Sequence, residues 1–282
     1  MFGGDEMKLE TTILSKSDCY IIYRLPYKGD NSIWHSNCYL IKSKDGAIAI
    51  DPGYDKDSIE AEAVFKNIKN GDIAMTHLHW EHWYRAFDLM KRGFSRMFVH
   101  GNDERYAKDL IKNIKDGNSN PESNKRVAQG ISGLHGVDLK LEFDFLPFNY
   151  DELNDFEDKK DFEDKIVYFD KFEMPNKGIE IHCHHDGSHT KGHVTYQIDR
   201  VLFSGDLVVP SKDGRFRIES RLDHSEVDGR IVARDQKEIR KATKIAIRRI
   251  IDNKKSIDYI APGHGDIIEI DEFVKKARRF LK

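Results

Sequence analysis

Three cysteines, Cys19, Cys38 and Cys183, are too few and too scattered to form a disulfide framework. No apolar run approaches the roughly 18 residues that a membrane-spanning helix needs. The first ten residues carry Asp5, Glu6 and Glu10 and no apolar stretch, so no signal peptide is visible. An excess of one charge is also missing. Lys and Arg number 46 against 49 Asp and Glu, a net charge of −3 with a pI near 6.5. That is not the basic balance by which a protein grips nucleic acid through its phosphates. The expectation is a soluble, cytoplasmic protein without a nucleic-acid or membrane partner. What is present is enough for a core: 39% hydrophobic and 11% aromatic residues exclude disorder throughout, and 34% charged residues coat the surface. At roughly 150 residues per domain, 282 residues suggest two domains, but sheet-based folds pass that length as one. No linker is visible, so a single domain over 1–282 is expected.

Strand-like segments come first: Cys19–Leu25, Asn37–Lys42 and Ala47–Asp51, with a hairpin at Lys44-Asp45-Gly46. An amphipathic helix is predicted over Ser58–Ile68, a strand over Ile73–Thr76 and a helix over Trp83–Lys91. A strand over Arg96–His100 and a helix over Asp103–Lys115, capped by Asp103, follow. Gly117–Asn124 reads as a loop. The stretch 144–176 is acidic and repeats DFEDK at Asp155–Lys159 and Asp161–Lys165, the pattern of a charged arm or of a lid. Strands return at Ile179–Cys183, Val194–Ile198 and Val201–Ser204, with a tight turn at Asp199-Arg200; Asp213–Leu222 is ambiguous. The strongest helix is Gln236–Asn253, with Ile239, Ala242, Ile245, Ala246 and Ile250 on one stripe. A strand at Ile257–Ala261 and a basic helix at Asp271–Leu281, capped by Asp271, close the chain. The two halves resemble each other, each running from strands to a helix to a His-bearing strand end.

Thirteen histidines are unevenly spread. Thr76-His77-Leu78-His79-Trp80-Glu81-His82 places four potential metal ligands in six residues at a strand end. Imidazole and carboxylate together suit zinc, iron or manganese. Three further clusters follow: Gly187-Ser188-His189-Thr190-Lys191-Gly192-His193, Phe203-Ser204-Gly205-Asp206 and Ala261-Pro262-Gly263-His264-Gly265-Asp266. Taken singly each of the three is weak, because a Gly-Asp is usually a turn. Their order, each after a strand, makes the set strong.

In that order the four clusters resemble the H-x-H-x-D-H, H-T-x-G-H, G-D and G-H-G elements of the metallo-β-lactamase superfamily. The resemblance runs from the Asn37–Gly53 opening, with its CYLI and AIAIDPG segments, through His264. It implies an α+β fold, a four-layer αββα sandwich of two pseudo-equivalent halves with the site at one edge. It also implies the ligands. His77, His79 and His189 would hold one metal, Glu81, His82 and His264 the second, and Asp206 would bridge them. Two divalent ions, zinc first and iron or manganese as alternatives, would share a hydroxide. That chemistry would hydrolyse an ester, thioester, lactone or related small substrate, with Asp206 and Glu81 as the catalytic carboxylates.

Glu81 departs from the family, which usually has Asp there. One more methylene leaves three readings open: ligation with a shifted backbone, a different metal, or a position behind the ligands. The alternative function is therefore a mononuclear non-haem iron oxidoreductase resembling persulfide dioxygenase, with His77, His189 and Asp206 on iron. Trp83 and Tyr84, where the family often has small residues, read as helix packing or as pocket walls. His193 reads as orienting rather than ligating. His182 and His184, alternate on one strand face, read as supporting the ligands at most. His35, His100, His135 and His224 have no motif around them, Cys183 reads as a structural thiol, and Lys275, Lys276, Arg278 and Arg279 as a solvated helix face. Only 18 residues follow His264, which argues against a glyoxalase-II-like extension, and 58 separate Asp206 from His264, too few for a β-CASP insertion. A small-molecule substrate is the expected partner, with a homodimer left open.

Overall fold

The computed structural model describes residues 12–16, 19–25, 36–53, 64–66, 68–83, 85–105, 107–108, 163–174, 177–211, 215–220, 224–227, 230–233 and 235–282. The first sheet runs in chain order through β1 (Thr12–Lys16), β2 (Tyr20–Leu25), β3 (Cys38–Ser43), β4 (Ala47–Ile50), β5 (Gly71–Ala74), β6 (Phe94–His100) and β7 (Ile166–Phe169). Its first pairings are antiparallel hairpins, and β4, β5, β6 and β7 then run parallel. Helices α1 (Trp80–Trp83) and α2 (Ala86–Lys91) lie between β5 and β6. The second half contains β8 (His182–His185), β9 (Val194–Ile198), β10 (Val201–Gly205), β11 (Val208–Pro210), β12 (Phe216–Ile218), β13 (His224–Val227) and β14 (Arg230–Ala233). Helix α3 (Gln236–Asp252), β15 (Tyr259–Pro262), β16 (Ile268–Glu269) and α4 (Ile270–Leu281) complete it. The second sheet has the order β16-β15-β10-β9-β8, with β10 and β15 parallel.

The period-2 alternation of strand side chains sorts residues into layers. On β3, Cys38 and Leu40 join one core while Tyr39 and Ile41 join another; on β4, Ala47 and Ala49 divide from Ile48 and Ile50 in the same way. The first core is closed by Trp83, Ala86, Leu89 and Met90 of the short helices. The second lies between the sheets, where Ile41, Ile48, Ile50 and Phe98 meet Val194, Tyr196, Val201 and Phe203. Leu202 and Ile260 face outward onto Ala246, Ile247 and Ile250 of α3 and Phe273, Val274 and Ala277 of α4. Helix, sheet, sheet, helix is the four-layer α+β sandwich that the resemblance implied.

Several local expectations need correction. The strand expected at Ile179–Cys183 lies at His182–His185, because Thr195 and Val194 of β9 pair with His184 and His185. Part of the acidic arm is sheet: β7 is apolar (IVYF) and extends the parallel run. The rest of that arm, residues 144–162 with the whole first DFEDK repeat and the first two residues of the second, and residues 175–176, lies outside the described residues, as do the 117–124 loop, Tyr84, His35 and His135. Of the Ser58–Ile68 helix only residues 64 and 65 are described as helical. The Trp83–Lys91 helix is two short pieces, and Trp83, at 1% exposure, packs in the first core rather than lining a pocket. On α3 the buried stripe is Ile239, Thr243, Ala246, Ile247 and Ile250; Ile245 points outward at 57% exposure, since its angular position falls outside the arc they define. Asp235 caps α3 by accepting from the Lys237 amide, whereas α4 begins at Ile270 after Glu269 with no side-chain cap, so Asp271 sits inside its first turn. The ambiguous 213–222 stretch holds β12, paired with β11.

Candidate metal centre

The parallel strands end at a common edge, and the loops that leave their carboxyl ends carry the histidines, as in other open α/β sheets. Asp51 follows β4, His77 to His82 follow β5, Asp206 follows β10 and His264 follows β15. Strand β5 ends at Ala74, so Thr76 is already in the turn. One ligand atom from each of His77, His79, His189 and Asp206 falls within 4.8 Å of the others. The same holds for Glu81, His82, Asp206 and His264. All seven residues predicted from sequence are thus brought together, in two groups that share Asp206. His189 Nε2 lies 3.6 Å from Asp206 Oδ2, while His82 Nε2 and His264 Nε2 lie 3.3 and 3.5 Å from Oδ1. One carboxylate therefore turns an oxygen toward each group.

The hydrogen bonds decide the tautomers. The Thr76 hydroxyl and amide both donate to Asp51, at 2.6 and 2.8 Å. The hydroxyl's single proton is then used, so His77 Nδ1, 3.0 Å away, donates to Thr76 Oγ1. His82 Nδ1, 3.0 Å from Asp51 Oδ2, likewise donates. In their neutral forms both rings are left with a bare Nε2 aimed inward, the arrangement by which a carboxylate orients a metal-binding imidazole. Asp51 is the residue that sequence reasoning missed. Its trace was there in the AIAIDPG segment, and the structure holds it at φ 48, a left-handed conformation that Asp tolerates better than most residues.

His77 Nε2, His79 Nε2 and His189 Nδ1 are buried without a hydrogen-bond partner, while His82 Nε2 and Asp206 Oδ1 have each other at 3.3 Å. Each such orphan costs about 1–3 kcal/mol, and three gathered among convergent imidazoles call for a ligand such as an ion. Imidazole and carboxylate donors converging in this way fit divalent zinc, iron or manganese. Electrostatics agree. Burial and the neighbouring imidazoles hold His77 and His189 well below their ordinary pKa, so both are neutral, the ligating form. Burial pushes His82 and His264 down too, but the Asp206 carboxylate, joined by Asp51 at His82, outweighs it and raises both. Burial works against the charge on Asp206, yet His264 and His82 hold its carboxyl well below the usual range.

Each loop has its own brace. Glu81 is half-buried and its carbonyl accepts from Ser36 Oγ at 3.0 Å. The His264 turn is tied to β3 and the residue before it. Asn37 Nδ2 donates to Pro262 O and Gly265 O at 3.0 and 2.8 Å, and Tyr39 OH donates to Pro262 O at 2.6 Å. Gly263 is required by close approach: a Cβ there would stand 2.5 Å from Asp206 Oδ1 and 2.6 Å from His82 Cε1. The His189 loop is held by Asp103, the last residue of a 3-10 turn after β6; helical residues 104, 105, 107 and 108 follow it as expected, and residues 109–115 of that helix lie outside the described residues. The buried Asp103 carboxylate accepts from Thr190 Oγ1 at 2.8 Å and from Gly192 N at 2.7 Å. Asp103→Ala removes both bonds without touching a ligand, and weakens metal binding by the His189 group about 10- to 100-fold, read by competition with a chromophoric chelator. His193, outside both groups, donates from Nδ1 to Asp186 at 2.8 Å.

The remaining histidines differ. His182 and His184 join neither group among the described residues. Cys183 is half-buried, and burial pushes its thiol up to about 12, an inert state. His100, which has no motif around it, stacks on His185 with ring centroids 3.8 Å apart, joining β6 to β8 across the two sheets. Burial, then the His185 ring, lowers His100 from 6.5 to about 4. Between those two values the unfolded chain binds more protons than the native one, so stability is complete above 6.5 and falls as pH drops toward 4. His100→Phe keeps a ring in the stack and flattens that part of the pH–stability curve, measured by urea unfolding at a series of pH values.

A sequence profile described as the metallo-beta-lactamase superfamily matches residues 32–264. No curated protein matches the chain. Among solved structures, it is similar to an archaeal metallo-beta-lactamase superfamily protein from Sulfolobus tokodaii, with 16% identity over 93% of this chain and 86% of that one and a TM-score of 0.60. It is also similar to the chemotaxis sensor ODP, described as a peroxy diiron species, with 13% identity, 96% and 94% coverage and a TM-score of 0.53. BLEG-1, a B3 metallo-beta-lactamase, shares 17% identity over 93% of this chain and all of its own, with a TM-score of 0.52. At these identities the likeness is one of fold, and it spans proteins of both hydrolytic and diiron chemistry.

Proposed function

This chain belongs to the metallo-β-lactamase superfamily, and from that premise we propose that it is a metal-dependent hydrolase of a small ester, thioester or lactone. His77, His79 and His189 would hold one divalent ion, Glu81, His82 and His264 a second, and Asp206 both. The observation that carries this reading is the position of Asp206, with one oxygen toward each group. Divalent ions held by these residues would supply a nucleophilic water at neutral pH, with a pKa of about 7, and Lewis-acid polarisation of an acyl oxygen. The rest falls to the chain. Asp51 keeps His82 and, through Thr76, His77 in the tautomers that present Nε2. Asp206 would present one carboxylate oxygen to each group. Glu81 adds the second carboxylate that balances the charge of its group; its extra methylene still leaves the oxygen within 4.8 Å of the other three ligands. The packed core between the sheets supports reading the chain as one domain.

A second reading has its own observation. His77, His79, His189 and Asp206 already form a four-ligand set without Glu81, which suits a mononuclear non-haem iron oxidoreductase. Elemental analysis of protein purified without added metal separates the two. About two zinc or manganese ions per chain, with turnover of ester or thioester substrates and no oxygen uptake, is the expected result. About one iron per chain with oxygen consumption would replace the hydrolase reading.

A further inference from the structure

The outer face of α3 and α4 carries a charge that the whole-chain balance hides. Residues 236–282 hold 13 Lys and Arg against 7 Asp and Glu, whereas residues 1–235 hold 33 against 42. On α3, Lys237, Arg240, Lys241 and Arg248 are exposed and Lys244 is half-buried. Ile245 projects from the same face at 57% exposure, one turn from both Lys241 and Arg248 and two turns from the exposed Glu238 and Asp252. The Arg240 guanidinium lies 5.9 Å from the Phe280 ring, which brings the basic last turn of α4, with Arg278 and Arg279, beside the first turns of α3. The acidic pair Asp271 and Glu272 is in the opposite, first turn of α4. The basic end is also the end of the metal centre: Thr243 Oγ1 is 3.4 Å from the carbonyl of Ser188, the neighbour of His189.

We propose that this face docks the protein on an anionic bilayer surface, its lysines and arginines meeting lipid phosphates while Ile245 enters the headgroup layer. Cations gathered near an anionic membrane act together within a Debye length of it, and an aliphatic side chain among them adds the apolar anchor of an interfacial helix. Single-stranded nucleic acid is the weaker fit, because its binding platforms stack bases on aromatic rings and the exposed side chain at the centre of this patch is aliphatic. The expectation of no membrane partner rested on the lack of a spanning segment. No described helix is long and apolar enough to cross a membrane, and surface docking needs none.

The test uses the full chain in cosedimentation with phosphatidylcholine vesicles, either pure or with about one-third phosphatidylglycerol. The expected result is binding to the anionic vesicles alone, abolished by high salt. Combining Lys241→Glu, Lys244→Glu and Arg248→Glu weakens it at least ~10-fold, and Ile245→Ala weakens it about threefold with no change of charge. Thermal unfolding and metal content of these variants match the unaltered protein, which keeps the outcome separate from the fate of the hydrolase reading. Equal binding to neutral vesicles, no binding to either, or indifference to the triple substitution would overturn the proposal. So would competition by a single-stranded oligonucleotide together with indifference to Ile245→Ala.

Discussion

Asp206→Asn is expected to lower turnover by about 10³-fold or more and to release metal from both groups rather than one. The change is isosteric, so the loss reports charge and donor chemistry rather than packing. Asp206 is 6% exposed, and its two oxygens serve the His189 side and the His82–His264 side separately. An amide keeps one acceptor and presents to the other group an NH₂, which cannot ligate a metal. It also withdraws the carboxylate that raises His82 and His264. The measurement is kcat/KM alongside metal content of the purified variant. His77→Ala, which removes a ligand of one group only, should lose about half as much metal. If Asp206→Asn retained both metals and its turnover, the bridging role would be wrong.

The second large effect lies far from the metal. Asp72→Ala is expected to destabilise the fold by about 3–5 kcal/mol, measured by urea unfolding. Asp72 is fully buried on β5 and accepts from Arg96 Nε and NH2 at 3.1 and 3.0 Å. Lys177, 3% exposed, places its ammonium 3.1 Å from the same carboxylate and donates to Asn70 Oδ1 at 2.6 Å. Deleting Asp72 leaves that ammonium buried without its counter-charge, which is what makes breaking such a pair costly. Lys177→Met should cost less, since Arg96 still satisfies the carboxylate and the methionine fills the space. Activity per folded molecule stays unchanged in both variants, because neither residue approaches the metal ligands. Equal losses for the two substitutions would mean that packing rather than charge sets the cost.

Much of the site was legible because it is written in short motifs. His77, His79, Glu81 and His82 stand within six residues, and a ligand cluster that dense at a strand end has few other uses. The elements with a clean period were legible too: β9, β10 and α3 lie within two residues of where the pattern puts them. The failures share a cause. Strand β8 reads HCHH, and neither face of it is plainly apolar, so only its pairing with β9 places it. Ile245 was assigned to the buried stripe because an isoleucine usually belongs there, but the packing of α3 on Leu202 and Ile260 chose Thr243 and Ile247 instead.

By itself, the sequence determined the candidate ligand types, their order, the family and the layered α+β fold, because each depends on local spacing or on the alternation of apolar residues. Only the tertiary structure decided what holds those ligands in place. Asp51 meets Thr76 and His82 across 25 and 31 residues, Asp103 meets Gly192 across 89, and Asn37 meets Gly265 across 228. Nothing in the local sequence of either partner encodes such a contact. A single buried carboxylate or amide is chosen by the geometry of the strand ends around it, and that geometry exists only once both sheets have packed.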